Sequence, residues 1–206
     1  MRTRELNHPT AAQRKRVSQI LTDAFWRTAM FSGYLFRGQK SLAKWFLHAL
    51  LRYSLKSGRV FVTEDDAEGI VACALWSLPD SPEMGLATYL RTGMWPWMLG
   101  IAVANPHAMG RIGELFRMLE KFAPEPPCVT LEFLASVKKG AGAQAVWDSM
   151  PAFAPSPLYV ESIVSHHDHA FYKQFGFEPF ARTDFHGTDY AFMLKPYAAE
   201  QKSDWK

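Results

Sequence analysis

Residues able to do chemistry collect in the last third of this sequence, in two stretches about 25 residues apart. The first runs Leu131-Glu-Phe-Leu-Ala-Ser-Val-Lys-Lys-Gly-Ala-Gly-Ala-Gln-Ala145. It reads as a buried strand entering a glycine-containing turn and then a helix. Such a turn gathers several backbone N–H groups at the positive end of a helix dipole, an arrangement that holds a pyrophosphate. Lys138 and Lys139 add charge at the same point. A flexible strand-to-helix loop is the competing reading of Gly140-Ala-Gly142 alone. Glu132 stands in the middle of the apolar strand, where a carboxylate is costly unless it is paired or faces a wet cleft. Strand alternation puts Val129, Leu131, Phe133 and Ala135 on one face and Thr130, Glu132 and Leu134 on the other. Glu132 is accordingly a candidate general base, with a structural salt bridge as the rival account.

The second stretch is Leu158-Tyr-Val-Glu-Ser-Ile-Val-Ser-His-His-Asp-His-Ala-Phe-Tyr-Lys-Gln-Phe-Gly-Phe177. It reads as a strand followed by a short helix that carries Tyr172. His166 and His169 share a helical face, but no further ligands at metal spacing accompany them. A helix start capped by Ser165 or Asp168 explains the cluster better, and no metal is expected.

The rest of the chain supplies the elements that must position these groups. An amphipathic helix over about 10–29 shows apolar positions at Val17, Ile20, Leu21, Ala24 and Phe25. A second, over about 40–56, repeats the spacing from Leu42 to Tyr53 and is expected to end at Gly58 through a C-terminal glycine. Residues 59–77 read as a hairpin around the acidic turn Asp65–Gly69. Residues 83–122 read as a helical pair, the first kinked at Pro96, with Asn105-Pro106 between them. A strand from Cys128 to Ala135, a helix over about 142–150, a strand from Leu158 to Ile163, a helix over about 167–175 and two closing strands complete the order. A short opening strand is expected within 1–7. The class is mixed α/β (α+β), with a largely antiparallel front and one parallel step.

Composition bounds the partners. The chain has 206 residues, 48% hydrophobic and 21% charged, as expected for one soluble domain, 1–206, with 83–122 as an insert. A net charge of +3, without a long basic run, gives little support to nucleic-acid binding. Cys73 and Cys128 read as small buried hydrophobes. The opening Met1-Arg-Thr-Arg-Glu lacks the apolar run of a signal peptide, and the window 94–104 falls short of the roughly 20 residues that span a bilayer. A cytoplasmic location is expected, without a membrane partner; a homodimer is left open. Seven Trp and an aromatic share of 14% need a use. The Trp- and Met-rich face at 94–98, with Phe25, Trp26, Phe31 and Tyr34, could line an apolar acceptor pocket. Exposed Trp95 and Trp97 also leave open a membrane-surface or interaction module.

The run Ala170-Phe-Tyr-Lys-Gln-Phe-Gly-Phe177 resembles the closing half of the GNAT N-acetyltransferases, in which an Ala-x-x-Phe-Tyr-x-x-x-Gly-Phe-like core leads into the next strand. With the Leu131–Ala145 stretch in the right order, the resemblance extends over nearly the whole chain, in a form enlarged by a helical insert between the third and fourth strands. It implies a central, mostly antiparallel sheet splayed between the fourth and fifth strands and flanked by helices. It also implies acetyl-CoA or another acyl-CoA as co-substrate, and acyl transfer to a primary amine of a small molecule or peptide. Tyr172 falls at the position of the acid that protonates the leaving thiolate, with a Tyr packed under the final strands as the alternative. Leu134, Ala135 and Ser136 would hold the pantetheine arm through their backbone. Lys139, Gly140, Ala141, Gly142 and Ala143 would cradle the pyrophosphate, and His169 would lie near the cofactor. The loop is short, and Gln144 stands where the family has a small residue. An inactive acyl-CoA-binding sensor of the same fold is therefore the alternative. The apolar aromatics favour a smallish, partly apolar amine over a polycation.

Overall fold

Alternation and periodicity resolve into seven strands and seven α-helices in a computed structural model describing residues 1–82, 86–163 and 168–196. The side chains of Leu86, Asp168 and His169 lie outside that description. The strands are β1 (Arg2–Glu5), β2 (Gly58–Asp65), β3 (Gly69–Ser77), β4 (Val129–Ser136), β5 (Leu158–Ile163), β6 (Glu178–Phe185) and β7 (Thr188–Lys195). They form one sheet in the order β1-β2-β3-β4-β5-β7-β6. Every pairing is antiparallel except β4 with β5. The helices are α1 (Ala11–Phe25), α2 (Lys40–Ser57), α3 (Leu86–Thr92), α4 (Trp95–Ala104), α5 (Pro106–Glu120), α6 (Ala141–Ser149) and α7 (Asp168–Lys173).

Two apolar layers sandwich the sheet. On one face Val17, Ile20 and Leu21 of α1 and Phe46, Leu47 and Leu50 of α2 pack with Cys73, Leu75 and Ala135. On the other, Ala141, Ala145 and Val146 of α6 and Tyr172, Phe175 and Phe177 pack with Val71, Trp76 and Leu131. Both cysteines are buried and no disulfide joins them, as expected of small hydrophobes. Helix α1 starts at a reciprocal cap: the Thr10 hydroxyl accepts from the Gln13 amide, and the Gln13 side chain accepts from the Thr10 amide.

Three expectations change. The helix expected to reach residue 29 stops at Phe25, and a π-helical turn, Met30–Leu35, follows it. Such turns widen a helix and often sit at functional sites. Gly58 does end α2, but with φ −134°, outside the left-handed region. Its glycine is explained by approach, because a Cβ there would lie 2.1 Å from the Trp76 carbonyl oxygen. The 83–122 region holds three helices among its described residues, since Gly93 turns the chain at φ +73°. Pro96 then lies in the first turn of α4, where it disrupts no hydrogen bond. Asn105 does separate α4 from α5, as its side chain caps α5 by accepting from the Ala108 amide. Among the described residues no helix is long and apolar enough to cross a membrane.

Candidate functional site

The parallel pairing of β4 with β5 covers only Val129↔Leu158, Thr130↔Tyr159 and Leu131↔Val160. Beyond Leu131, β4 continues to Ser136 on β3, while β5 continues to Ile163 on β7. The sheet is thus held from both outer sides while its middle opens. This is the fork expected between the fourth and fifth strands. The next residue on each strand is a glutamate: Glu132 on β4 and Glu161 on β5.

Glu132 does not sit in a regular strand. Phe133 pairs with Leu75 and Leu131 pairs with Trp76, so Glu132 is the extra residue of a β-bulge. The bulge corrects the facing read from simple alternation. Leu131 packs on the α6 side, yet Phe133 and Ala135 pack on the α1–α2 side, and Leu134 crosses to the α6 side. One inserted residue flips the parity of everything after it.

A cavity of about 760 Å³ passes through the fork. Its α6–α7 half is lined by Leu134, Ser136, Gly142, Phe171 and Tyr172. Its α1 half is lined by Phe25, Arg27, Thr28 and Met30, with Thr188 and Asp189 from the β6–β7 turn. Glu132 and Glu161 both line it. One space therefore collects Tyr172, Glu132, Leu134, Ser136 and Gly142 from the sequence reading.

The electrostatics of the fork are unusual. The Ser77 hydroxyl donates to Glu132, and the Tyr159 hydroxyl donates to Glu161 at 3.3 Å. No ion pair reaches either carboxylate among the described residues. Burial raises the Glu132 carboxyl above its ordinary value, opposed by the Ser77 hydrogen bond. Burial, with the neighbouring charge of Glu132, pushes Glu161 up to about 8. Tyr53, Tyr159 and Tyr190 are raised as well, chiefly by burial and further by these carboxylates, so they stay protonated phenols.

Tyr172 sits near the end of α7, edge-on to Phe171 and Phe177. The chain leaves the helix through Gly176 at φ +83°, where the Phe175 and Phe177 amides both donate to the Tyr172 carbonyl. The Gly-Phe of the sequence motif thereby fixes the place of Tyr172. His166 and His167 lie outside the described residues, as does the His169 side chain. Among the described residues no cluster of three or more His, Cys, Asp or Glu could hold a metal.

At the end of β4, the Ser136 hydroxyl donates to the Lys138 carbonyl at 2.6 Å and accepts from the Lys138 amide. This closes a tight turn into Gly140, whose φ of +82° starts α6. The Ala141 amide donates to the Lys138 carbonyl, whereas the Gly140, Gly142 and Ala143 amides have no backbone acceptor among the described residues. Lys138 does not supply charge here. It pairs with Asp65 and Glu68 of the β2–β3 hairpin, both at 2.8 Å. Lys139 is exposed and makes no ion pair among the described residues. The Gln144 side chain donates to Asp148 at 2.6 Å, one turn along α6. It therefore points away from the helix start and does not crowd it.

Sequence reasoning missed Glu161 and overvalued the aromatic insert. Glu161 carries the same signal as Glu132, a carboxylate inside an apolar strand. Met94 and Met98 are core residues, and Trp97 packs beside His48. None of residues 94–98 lines the cavity, and of the four earlier aromatics only Phe25 does. Tyr34 instead donates to Glu114 of α5 at 2.5 Å and stacks on His186 of the β6–β7 turn, fastening that turn beside the cavity mouth.

No family model matches the chain, and no curated protein matches its sequence. Solved structures do match in shape. A crystal structure of histone acetyltransferase HPA2 and related acetyltransferase from Corynebacterium glutamicum is 19% identical, with TM-score 0.68 over 96% of this chain and 98% of that one. Arylalkylamine N-acetyltransferase 2 from Aedes aegypti is 12% identical, with TM-score 0.57 over 95% and 99%. An acyl-CoA N-acyltransferase from Pseudomonas aeruginosa is 12% identical, with TM-score 0.52 over 94% and 98%. At these identities the likeness concerns the fold, and that fold is the acyl-CoA N-acyltransferase one.

Proposed function

We propose that the chain is an acyl-CoA-dependent N-acetyltransferase acting on a primary amine of a small molecule or peptide. The observation that carries this reading is the cavity through the fork, with Tyr172 on one side of the sheet and Glu132 at the point where the strands part. The residues present suit an acyl-CoA. The Gly140, Gly142 and Ala143 amides at the start of α6, with Lys139 beside them, are donors for a diphosphate. The β4 edge over residues 134–136 has no strand partner on the fork side, so its backbone groups are available to the amides of a pantetheine arm.

Acyl-CoA supplies the thioester in this reading, and the side chains move the protons. Glu132, raised by burial and ionised when a cation sits beside it, takes a proton from the ammonium group. The freed nitrogen bonds to the thioester carbonyl carbon, loses its second proton to solvent, and the C–S bond breaks. The Tyr172 phenol gives the sulfur a proton and regains one from solvent. In sum, one proton ends on the thiol, one is released and one stays on the amide.

The alternative, a non-catalytic acyl-CoA sensor, loses one of its supports because Gln144 turns away from the helix start. Thermal-shift titration with acetyl-CoA, followed by thiol release across an amine panel, tests the proposal. Stabilisation with amine-dependent thiol release is expected. Stabilisation without turnover would favour the sensor, and no stabilisation would overturn acyl-CoA binding altogether.

A further inference from the structure

The cavity holds two carboxylates, and proton removal from an amine needs only one. Glu161 follows the last paired residue of β5, as Glu132 follows that of β4, so both stand at the apex of the fork. One oxygen of Glu161 accepts from Tyr159, and its second has no protein donor among the described residues. Arg27, the one cation lining the cavity among the described residues, is exposed and lies with exposed Asp189 in the α1 half. Neither is hydrogen-bonded to the fork. Two enclosed carboxylates without a counter-cation are an arrangement that folding alone disfavours. Around them the walls are apolar: Phe25, Met30, Leu131, Ile163 and Phe171.

Resting on the acyl-transfer reading, we infer that Glu161 and Glu132 form an ammonium seat in which Glu161 holds the acceptor while Glu132 removes its proton, and that the acceptor is a primary amine bearing one positive charge and a compact apolar body. The seat takes one ammonium. The two acids cannot both ionise freely side by side while the site is empty, so the pair retains a proton near neutral pH; a bound ammonium displaces it, leaving Glu161 ionised to hold the cation and Glu132 ionised to accept its proton. A polyamine would place its further ammonium groups against Phe25, Met30 and Ile163. An α-amino acid would bring its own carboxylate to the two glutamates.

The test uses phenethylamine, hexylamine, phenylalanine and spermidine as acceptors at saturating acetyl-CoA. Phenethylamine and hexylamine are expected to be acylated, with phenylalanine and spermidine at least about 100-fold lower in kcat/KM, because unpaired or like charges in an enclosed site are strongly disfavoured. Glu161→Gln should raise the KM for phenethylamine by about 10- to 100-fold, with kcat changed by less than about 3-fold and the acetyl-CoA KM unchanged. Glu132→Gln should instead lower kcat. Glu161→Asp, which keeps the charge, should recover part of the lost affinity, whereas a packing defect would not be rescued by a shorter side chain. An unchanged phenethylamine KM in Glu161→Gln, or a preference for phenylalanine or spermidine, would overturn the inference. Phenethylamine binding, read by calorimetry without acetyl-CoA, separates the two claims. Binding that Glu161→Gln abolishes supports the seat even if no acetyl group is transferred, and failure of acetyl-CoA to bind overturns only the acyl-transfer reading.

Discussion

Replacing Glu161 by glutamine keeps the shape of the side chain and removes its ionisation, so it isolates the charge at the fork. The ordinary carboxyl value is 4.5, and the folded protein pushes Glu161 up to about 8. Between those values the unfolded chain has released the proton that the folded chain retains. Stability is therefore greatest below about 4.5 and is lost as pH rises through about 8. One retained proton makes the slope about 1.4 kcal/mol per pH unit, or roughly 3 kcal/mol between pH 5.5 and 7.5. For a domain of this size that corresponds to a fall of about 5–10 °C in Tm. Glu132 shares the proton, so the slope belongs to the pair, and Glu132→Gln should also flatten it. The assay is a series of thermal and urea melts of both proteins from pH 5.5 to 8 at fixed ionic strength. Groups that titrate equally in both cancel in the difference. Glu161→Gln should be relatively more stable at the alkaline end, with a flatter profile. Parallel profiles would refute the picture of a shared, retained proton.

Tyr172→Phe should lower turnover about 10- to 100-fold, within the range of a lost general acid, while acetyl-CoA still stabilises the protein; unchanged turnover would remove the acid role. Gly140→Ala forces a side chain onto φ +82°, at about 1–2 kcal/mol, and should weaken acetyl-CoA binding in an equilibrium titration by distorting the turn that presents the α6 amides. Gly58→Ala places a methyl group 2.1 Å from the Trp76 carbonyl oxygen, so the β2–β3 pairing must shift, and a loss of about 3 kcal/mol or more is expected in urea denaturation. Lys138→Ala removes two ion pairs that are partly solvent-exposed, and should leave the urea midpoint nearly unchanged in the same assay.

The element order was legible because each element carries its own period. The apolar stripe of α2, the β-branched and aromatic runs of β2 and β3, and the Gly-Phe after Tyr172 are local signals. They need no knowledge of what lies opposite. The place of Tyr172 was readable for the same reason, since the turn at Gly176 fixes it within a few residues. The fate of the two lysines was not. Lys138 and Lys139 are equivalent in sequence, and only the hairpin carrying Asp65 and Glu68 takes one of them. Nor was the role of the aromatics. Met94 and Met98 show an apolar face that suits a core or a pocket equally, and the packing of α4 on α2 makes it core.

By itself the sequence determined the seven strands, the helices between them outside residues 83–122, and a buried strand that carries Glu132 into a glycine turn. Tertiary structure decided where that carboxylate points and what accompanies it. The bulge at Glu132 exists only as a mismatch in register between β4 and β3, a relation between residues more than fifty positions apart. The meeting of Glu132 with Glu161 likewise depends on where β4 and β5 stop pairing. A fork is a property of two strands, and neither strand alone records where it opens.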